Sequence, residues 1–169
     1  MLWGSKVVPR AIESGDFERL REFQNDLEIE VPRGGEPHRL RSRTEIASYF
    51  EPLNEIGSAF NFATAPKDNL ETAIGHCGLF NLSNSSRTAE LGITFGDRSC
   101  WGRGYGRDSV GVLVDYAFRI HNLRKITLWV HSDNERARRS YEAAGFEQEA
   151  IGKDHMWSSG GYADLVAMS

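Results

Sequence analysis

Trp101-Gly102-Arg103-Gly104-Tyr105-Gly106-Arg107 is the stretch whose reading decides the fold. Immediately upstream, Thr88-Ala89-Glu90-Leu91-Gly92-Ile93-Thr94-Phe95 alternates as a strand does, with Leu91, Ile93 and Phe95 on one face and Glu90, Gly92 and Thr94 on the other. Downstream, Asp108 to Asn122 places Val110, Leu113, Val114, Ala117 and Phe118 at helical spacing. Lys125 to His131, KITLWVH, then reads as a buried strand. Residues 88–131 are therefore strand, glycine loop, helix, strand, which is one crossover unit.

Outward from that unit the pattern is different. Three strands are expected at about 59–65, 73–82 and 88–96, joined by short polar turns, so they form an antiparallel meander. Before them, a short strand fits Lys6 to Ile12. A helix follows from Ser14-Gly15-Asp16 to about Asn25, with Phe17, Leu20 and Phe23 spaced for one face. Residues 30–43 are rich in Pro, Gly and Arg and read as a loop. A second helix fits Thr44 to about Ile56, with Ile46, Tyr49, Phe50 and Leu53 on one side. At the C-terminal end, Asn134 to Ala144 is a helix closed by Gly145, and strands near 146–155 and 162–168 flank Ser158-Ser159-Gly160-Gly161. The class is α+β, or mixed α/β in looser usage: a mostly antiparallel sheet of about seven strands flanked by about four helices. Its 169 residues are expected to form a single domain with a core that needs no staples.

The glycine loop has a chemical reading. At a helix N-terminus the first N–H groups lack partners and the helix dipole is positive, so a phosphate is favoured there. Glycines let backbone approach a ligand, and Arg103 and Arg107 add positive charge. Residues 97–139 carry 9 Lys/Arg against 5 Asp/Glu, whereas the flanking segments are acidic. A basic middle segment fits an anionic ligand, and acidic walls can attract a cationic one. The loop is neither GxxxxGK followed by Ser or Thr nor GxGxxG, so nucleoside triphosphate and dinucleotide loops do not fit.

With Asn134-Glu135-Arg136-Ala137-Arg138-Arg139-Ser140-Tyr141-Glu142-Ala143-Ala144-Gly145-Phe146 added, the chain resembles the GNAT superfamily of acyl-CoA-dependent N-acetyltransferases, and its RimJ/RimL branch in particular. Residues 101–106 are similar to that family's Q/R-x-x-G-x-G/A loop, with Trp101 at the Gln/Arg position. Residues 134–146 are similar to N-x-x-A/S-x-x-x-Y-x-x-x-G-F. The resemblance implies that the strands at 88–96 and 125–131 splay apart and admit the pantetheine arm of acetyl-CoA, which pairs with main chain near Ile93, Thr94 and Phe95. It further implies that the pyrophosphate sits on the N–H groups of Arg103, Gly104, Tyr105, Gly106 and Arg107, with Trp101 and Gly102 among the expected cofactor-binding residues. Asn134 and Arg138 are the expected cofactor contacts on the second motif.

Acetyl transfer from a thioester to an amine needs an amine that loses its proton, a stabilised oxyanion and a protonated leaving thiolate. Glu90 is the base candidate; a salt-bridged or solvated strand glutamate is the other reading. Tyr141 falls at the family's tyrosine position, and a phenol with an ordinary pKa near 10 is protonated at neutral pH and can donate. The Thr94 backbone N–H is the oxyanion donor that the resemblance implies. His131-Ser132-Asp133 has triad residue types but no nucleophile elbow. His76-Cys77 lacks metal-ligand spacing, and no metal is expected. Cys100 adjoins the glycine loop without an evident base.

The expected activity is acetyl-CoA-dependent N-acetylation of a primary amine by direct attack in a ternary complex. The resemblance points first to the N-terminal α-amine of a protein, with a polyamine, amino sugar or aminoglycoside as the alternative acceptor. A non-catalytic acyl-CoA-binding module and a nucleotide-phosphate binder are the other classes. The acceptor pocket is expected around the first two helices and the loop from Val31 to Arg43. A net charge of −4 argues against nucleic acid, and no apolar run or signal-peptide pattern points to a membrane. Two cysteines fit a reducing, cytoplasmic setting, and a homodimer is open.

Overall fold

The computed structural model describes residues 1–33, 38–53 and 59–169. Seven strands form one sheet in the order β1-β2-β3-β4-β5-β7-β6: β1 (Val7–Arg10), β2 (Phe60–Pro66), β3 (Gly75–Ser83), β4 (Thr88–Phe95), β5 (Lys125–His131), β6 (Gln148–Ser158) and β7 (Gly161–Met168). Every neighbouring pair is antiparallel except β4 and β5. The helices are α1 (Phe17–Gln24), α2 (Leu27–Glu30), α3 (Arg43–Leu53), α4 (Tyr105–Asp115) and α5 (Glu135–Glu142). This is the expected mixed α/β architecture, with five helices where about four were expected. The addition is α2, a single turn capped by Asp26, whose side chain accepts from the Glu28 N–H. Residues 34–37 of the expected acceptor loop and the expected helix end at Ile56 lie outside the described residues.

Alternation along the strands divides the molecule into two layers. Cys77 and Leu79 of β3, Ala89 and Leu91 of β4, and Ile126, Leu128 and Val130 of β5 face α4 and α5, where Val110, Leu113, Ala117 and Tyr141 complete the larger core. On the opposite face, Phe17, Leu20, Phe23, Ile29, Ile46 and Phe50 form a second core, and the Phe50 ring meets His76 edge-on at 5.5 Å. Two expected core positions are corrected. Phe118 is exposed because the five residues after α4, Tyr116–Ile120, form a π turn that carries Tyr116 inward instead, onto Phe60 and Phe62. Tyr49 is also exposed; it leans edge-on against Phe50 and under the Arg41 guanidinium.

The ends of the elements follow local chemistry. Gly145, at φ +97°, lets the Phe146 N–H reach back to the Tyr141 carbonyl and the Gly145 N–H to Glu142, which closes α5. Ser159 and Gly160 both have positive φ, the conformation of a two-residue hairpin turn, and join β6 to β7. Among the described residues no helix is long and apolar enough to cross a membrane.

Candidate active site

β4 and β5 are paired only at Thr88–Lys125, Ala89–Ile126 and Glu90–Thr127. Beyond Glu90 and Thr127 the two parallel strands part, and a cleft of ≈ 890 Å³ runs through the fork. One side is lined by Trp101, Gly102, Gly104, Arg107, Asn134, Arg136, Ser140 and Tyr141; the other by residues of α2, α3, β2 and β3, with Glu90 between them.

The direction of each β4 amide can be read from the ladder. The Gly96 N–H donates to the Ile74 carbonyl on the β3 side, and a Cβ on Gly75 would lie 2.1 Å from the Thr94 carbonyl oxygen. Thr94 stands opposite His76 in the same register. Its backbone polar groups therefore turn toward β3, and those of Leu91, Ile93 and Phe95 turn toward the fork. The Arg87 carbonyl accepts from Arg124 on that fork side, consistent with the same alternation. Thr94 is thus corrected as an oxyanion donor: its N–H belongs to the β3 ladder. The Leu91 N–H still serves the last pair, Glu90–Thr127, so the Ile93 amide is the first to lose a strand partner when β5 departs. The Phe95 carbonyl is already used, accepting the Trp101 indole N–H at 2.8 Å.

The glycine loop ends in Gly104, which caps α4 with φ +84° and no side chain. The first intrahelical bond is Asp108 N–H to the Gly104 carbonyl, so the amides of Tyr105, Gly106 and Arg107 precede the ladder. Uncapped first-turn amides, unpaired odd-numbered amides on β4, and an open cleft between them fit the pyrophosphate and the pantetheine amides of CoA. Arg107 lines the cleft, but Arg103 does not. Its guanidinium lies 5.8 Å from the Tyr105 ring and reaches the Ser99 carbonyl. Tyr105 likewise packs with Phe95 against Val7, Ile74 and Cys100 rather than facing the cleft. Lys6, which the loop motif did not reveal, donates from Nζ to the Arg103 carbonyl at 2.7 Å.

On α5 the cleft is lined by Arg136, Ala137, Arg139, Ser140 and Tyr141, with Arg139 paired to Glu135 at 2.7 Å. Arg138 turns away, donating to the Ser132 carbonyl at 3.2 Å. Helical spacing favours Arg138, three residues before Tyr141, over Arg136, five before it, so the sequence pointed to the arginine that the cleft does not receive. The Asn134 side-chain oxygen caps α5 by accepting the Ala137 N–H, which leaves its Nδ2 as the group available to a ligand. Tyr141 is buried against Phe146, and burial pushes its phenol up to about 12. It stays protonated throughout the neutral range.

Glu90 projects from the closed end of the fork. Asn81 holds it, donating from Nδ2 to Oε2 at 3.0 Å. Asn81 sits at the β3 irregularity opposite this point with φ 51°, which a motif search does not reveal. On the same face Gly78 pairs with Gly92, so these two positions add no side chain of their own to the sheet floor beside Glu90. The Phe80 ring fills part of that space: a Cβ on Gly92 would come within 2.8 Å of Phe80 Cε1. Burial raises the Cys100 thiol, so it is no ready nucleophile. His131 Nδ1 is 3.9 Å from an exposed Asp133 carboxylate, and Ser132 is tied to β7 through its N–H, so no triad forms.

Fold, fork and glycine loop together describe an acyl-CoA site on a mixed sheet. Residues 7–147 match the family described as "Acetyltransferase (GNAT) domain", and the chain belongs to that family. It is an acetyl-CoA-dependent N-acetyltransferase. Spermidine N(1)-acetyltransferase of Vibrio cholerae is 27% identical over 164 residues, covering 97% of this chain and 92% of that protein. An uncharacterized N-acetyltransferase p20 of Bacillus licheniformis is 25% identical over 169 residues, covering 99% and 94%. A crystal structure of the Vibrio cholerae spermidine N-acetyltransferase in complex with CoA and spermine superposes with a TM-score of 0.88, at 27% identity over 97% of this chain and 94% of that one. A putative ribosomal N-acetyltransferase YdaF of Bacillus subtilis is 25% identical over 172 residues, covering 96% of this chain and 90% of that protein, and the RimJ/RimL branch is not established by these relatives.

Proposed function

We propose that residues 1–169 act as one catalytic domain that acetylates a primary amine of a small polyamine-like acceptor, in place of the protein N-terminal α-amine expected first. The observation that carries this reading is the acceptor side of the cleft. A carboxylate, Glu90, stands at the end of a floor made of Gly78 and Gly92, beside the Phe80 ring. A floor of two glycines overlaid by the Phe80 ring is flat and largely apolar, which suits an alkylamine chain, and a carboxylate suits its ammonium group. Similarity to the spermidine enzyme of Vibrio cholerae supports the same class.

Acetyl-CoA, when bound, supplies the activated acetyl thioester. The chain's own groups do the rest in this reading. Glu90, oriented by Asn81, takes the proton of the acceptor ammonium directly or through a water. The fork amide of Ile93 donates to the carbonyl oxygen as negative charge builds there. The buried Tyr141 phenol donates its proton to the departing sulfur. Arg107, Arg136 and the first-turn amides of α4 hold the phosphates.

The test is thiol release from acetyl-CoA with spermidine, a peptide bearing a free α-amine and an amino sugar as acceptors. Spermidine is expected to give the highest kcat/KM. A peptide preferred over spermidine overturns the polyamine reading, and thiol release with none of the three overturns both.

A further inference from the structure

The fork has unequal arms. Two residues beyond the last β4–β5 pair, Glu90–Thr127, the next side chains on the Glu90 face are Gly92 on β4 and Trp129 on β5. One arm carries no side chain there and the other carries the largest one. Trp129 lies on a central strand, yet it is 43% exposed. Its indole is stacked on the His155 ring, with centroids 5.3 Å apart and planes 5° from parallel. His155 belongs to the stretch of β6 where register shifts between Gly152 and Met156, and Gly152 makes room for it: a Cβ there would lie 3.0 Å from His155 Nδ1. One face of the indole is therefore covered and held. Trp129, His155, Phe80 and Glu90 all line the same cleft. An aromatic face held flat beside a carboxylate attracts a cation, because the ring quadrupole is negative over its face.

We propose that the open face of Trp129, held by His155, is the wall on which the acceptor's alkyl chain and second ammonium group lie while its reacting amine is at Glu90. This rests on the polyamine reading above. Trp129 is a binding residue for the acceptor, and His155 is a positioning residue that acts through it.

The test is steady-state kinetics on the full chain with Trp129→Leu, Trp129→Phe, His155→Ala and His155→Phe. Acceptors are spermidine, 1,4-diaminobutane and 4-amino-1-butanol, whose tail has similar length but no charge. Trp129→Leu is expected to raise the spermidine KM about 5- to 30-fold, the range of a partly to fully desolvated cation–π contact. kcat and the KM for acetyl-CoA are expected to stay within about twofold of wild type on the same account. The preference for the diamine over the amino alcohol is expected to collapse. Trp129→Phe retains much of the affinity. His155→Ala shifts KM in the same direction, and His155→Phe restores it by keeping the stack. An unchanged spermidine KM in Trp129→Leu overturns the proposal, as does an equal KM change for the diamine and the amino alcohol. Circular dichroism and unfolding of the same samples identify a misfolded variant, in which case Trp129→Phe against wild type, on the diamine-to-amino-alcohol ratio, decides. If wild type prefers a peptide α-amine, the polyamine reading falls on that comparison alone. Trp129→Leu measured on the peptide then still decides the wall, and an unchanged peptide KM overturns it.

Discussion

The guanidinium of Arg136 lies 4.1 Å from the centroid of the Trp101 indole. The contact joins the start of α5 to the glycine loop, and Trp101 in turn is bonded to the end of β4 through the Phe95 carbonyl. Three walls of the cleft are thereby tied at one ring. Arg136→Ala is expected to raise the KM for acetyl-CoA about 3- to 10-fold, through loss of one charge-assisted contact and of the stack. Arg138→Ala is expected to change it by less than about twofold, since that side chain turns to Ser132. Equal effects in the two variants reject the assignment of Arg136 to the cofactor side.

Burial holds the Tyr141 proton on the phenol, so the expected role is donor. Tyr141→Phe keeps the packing against Phe146 and removes the O–H. Its kcat is expected to fall about 10²-fold or more, the usual range for a positioned acid, with acetyl-CoA affinity nearly unchanged. Because the phenol titrates at about 12, no decline of wild-type kcat below pH 10 should trace to Tyr141. A kcat retained in Tyr141→Phe removes the residue from the chemistry.

Glu90→Gln keeps an acceptor for the Asn81 side chain and removes the base. kcat/KM for the amine is expected to fall about 10²-fold at neutral pH. Asn81→Ala leaves the carboxylate but not its orientation, so a smaller loss is expected, about 3- to 10-fold. A Glu90→Gln variant with the wild-type kcat/KM assigns Glu90 a structural role.

Asp108, in the first turn of α4, accepts the N–H groups of Ser5, Lys6 and Val7 and the Ser5 hydroxyl. Burial alone would raise its carboxyl, but these donors outweigh burial and hold it below the ordinary range. A carboxyl lowered on folding contributes stability above its unfolded pKa, and that contribution is lost as pH falls through the folded value. Asp108→Asn is therefore expected to cost about 1 to 2 kcal/mol near pH 7, the lower end for charged hydrogen bonds because the group is partly solvated. The difference from wild type should shrink below about pH 4, where the unfolded carboxyl takes up its proton. Urea unfolding at pH 7 and pH 3.5 checks both statements, and a pH-independent difference contradicts the account.

Residue types and spacing determined a good deal of this protein. The strand of KITLWVH, the meander and the crossover unit were legible because alternation and helical periodicity are properties of neighbouring residues. The glycine loop and the tyrosine motif were legible because each is contiguous. What the sequence by itself left undecided is which way groups face at long range. Strand alternation placed Glu90 and Thr94 on one face, but only pairing with β3 through His76 and Ile74 showed that the Thr94 amide is spent and the Ile93 amide is not. Arg103 and Arg138 carry the right charge at plausible positions, yet Ser99, Tyr105 and Ser132 draw them elsewhere. Asn81 reached Glu90 through an irregularity in β3, and Trp129 met His155 through one in β6. Such bends arise from the balance of packing across the sheet. Tertiary structure therefore decided which arginine, which amide and which aromatic ring the cleft receives.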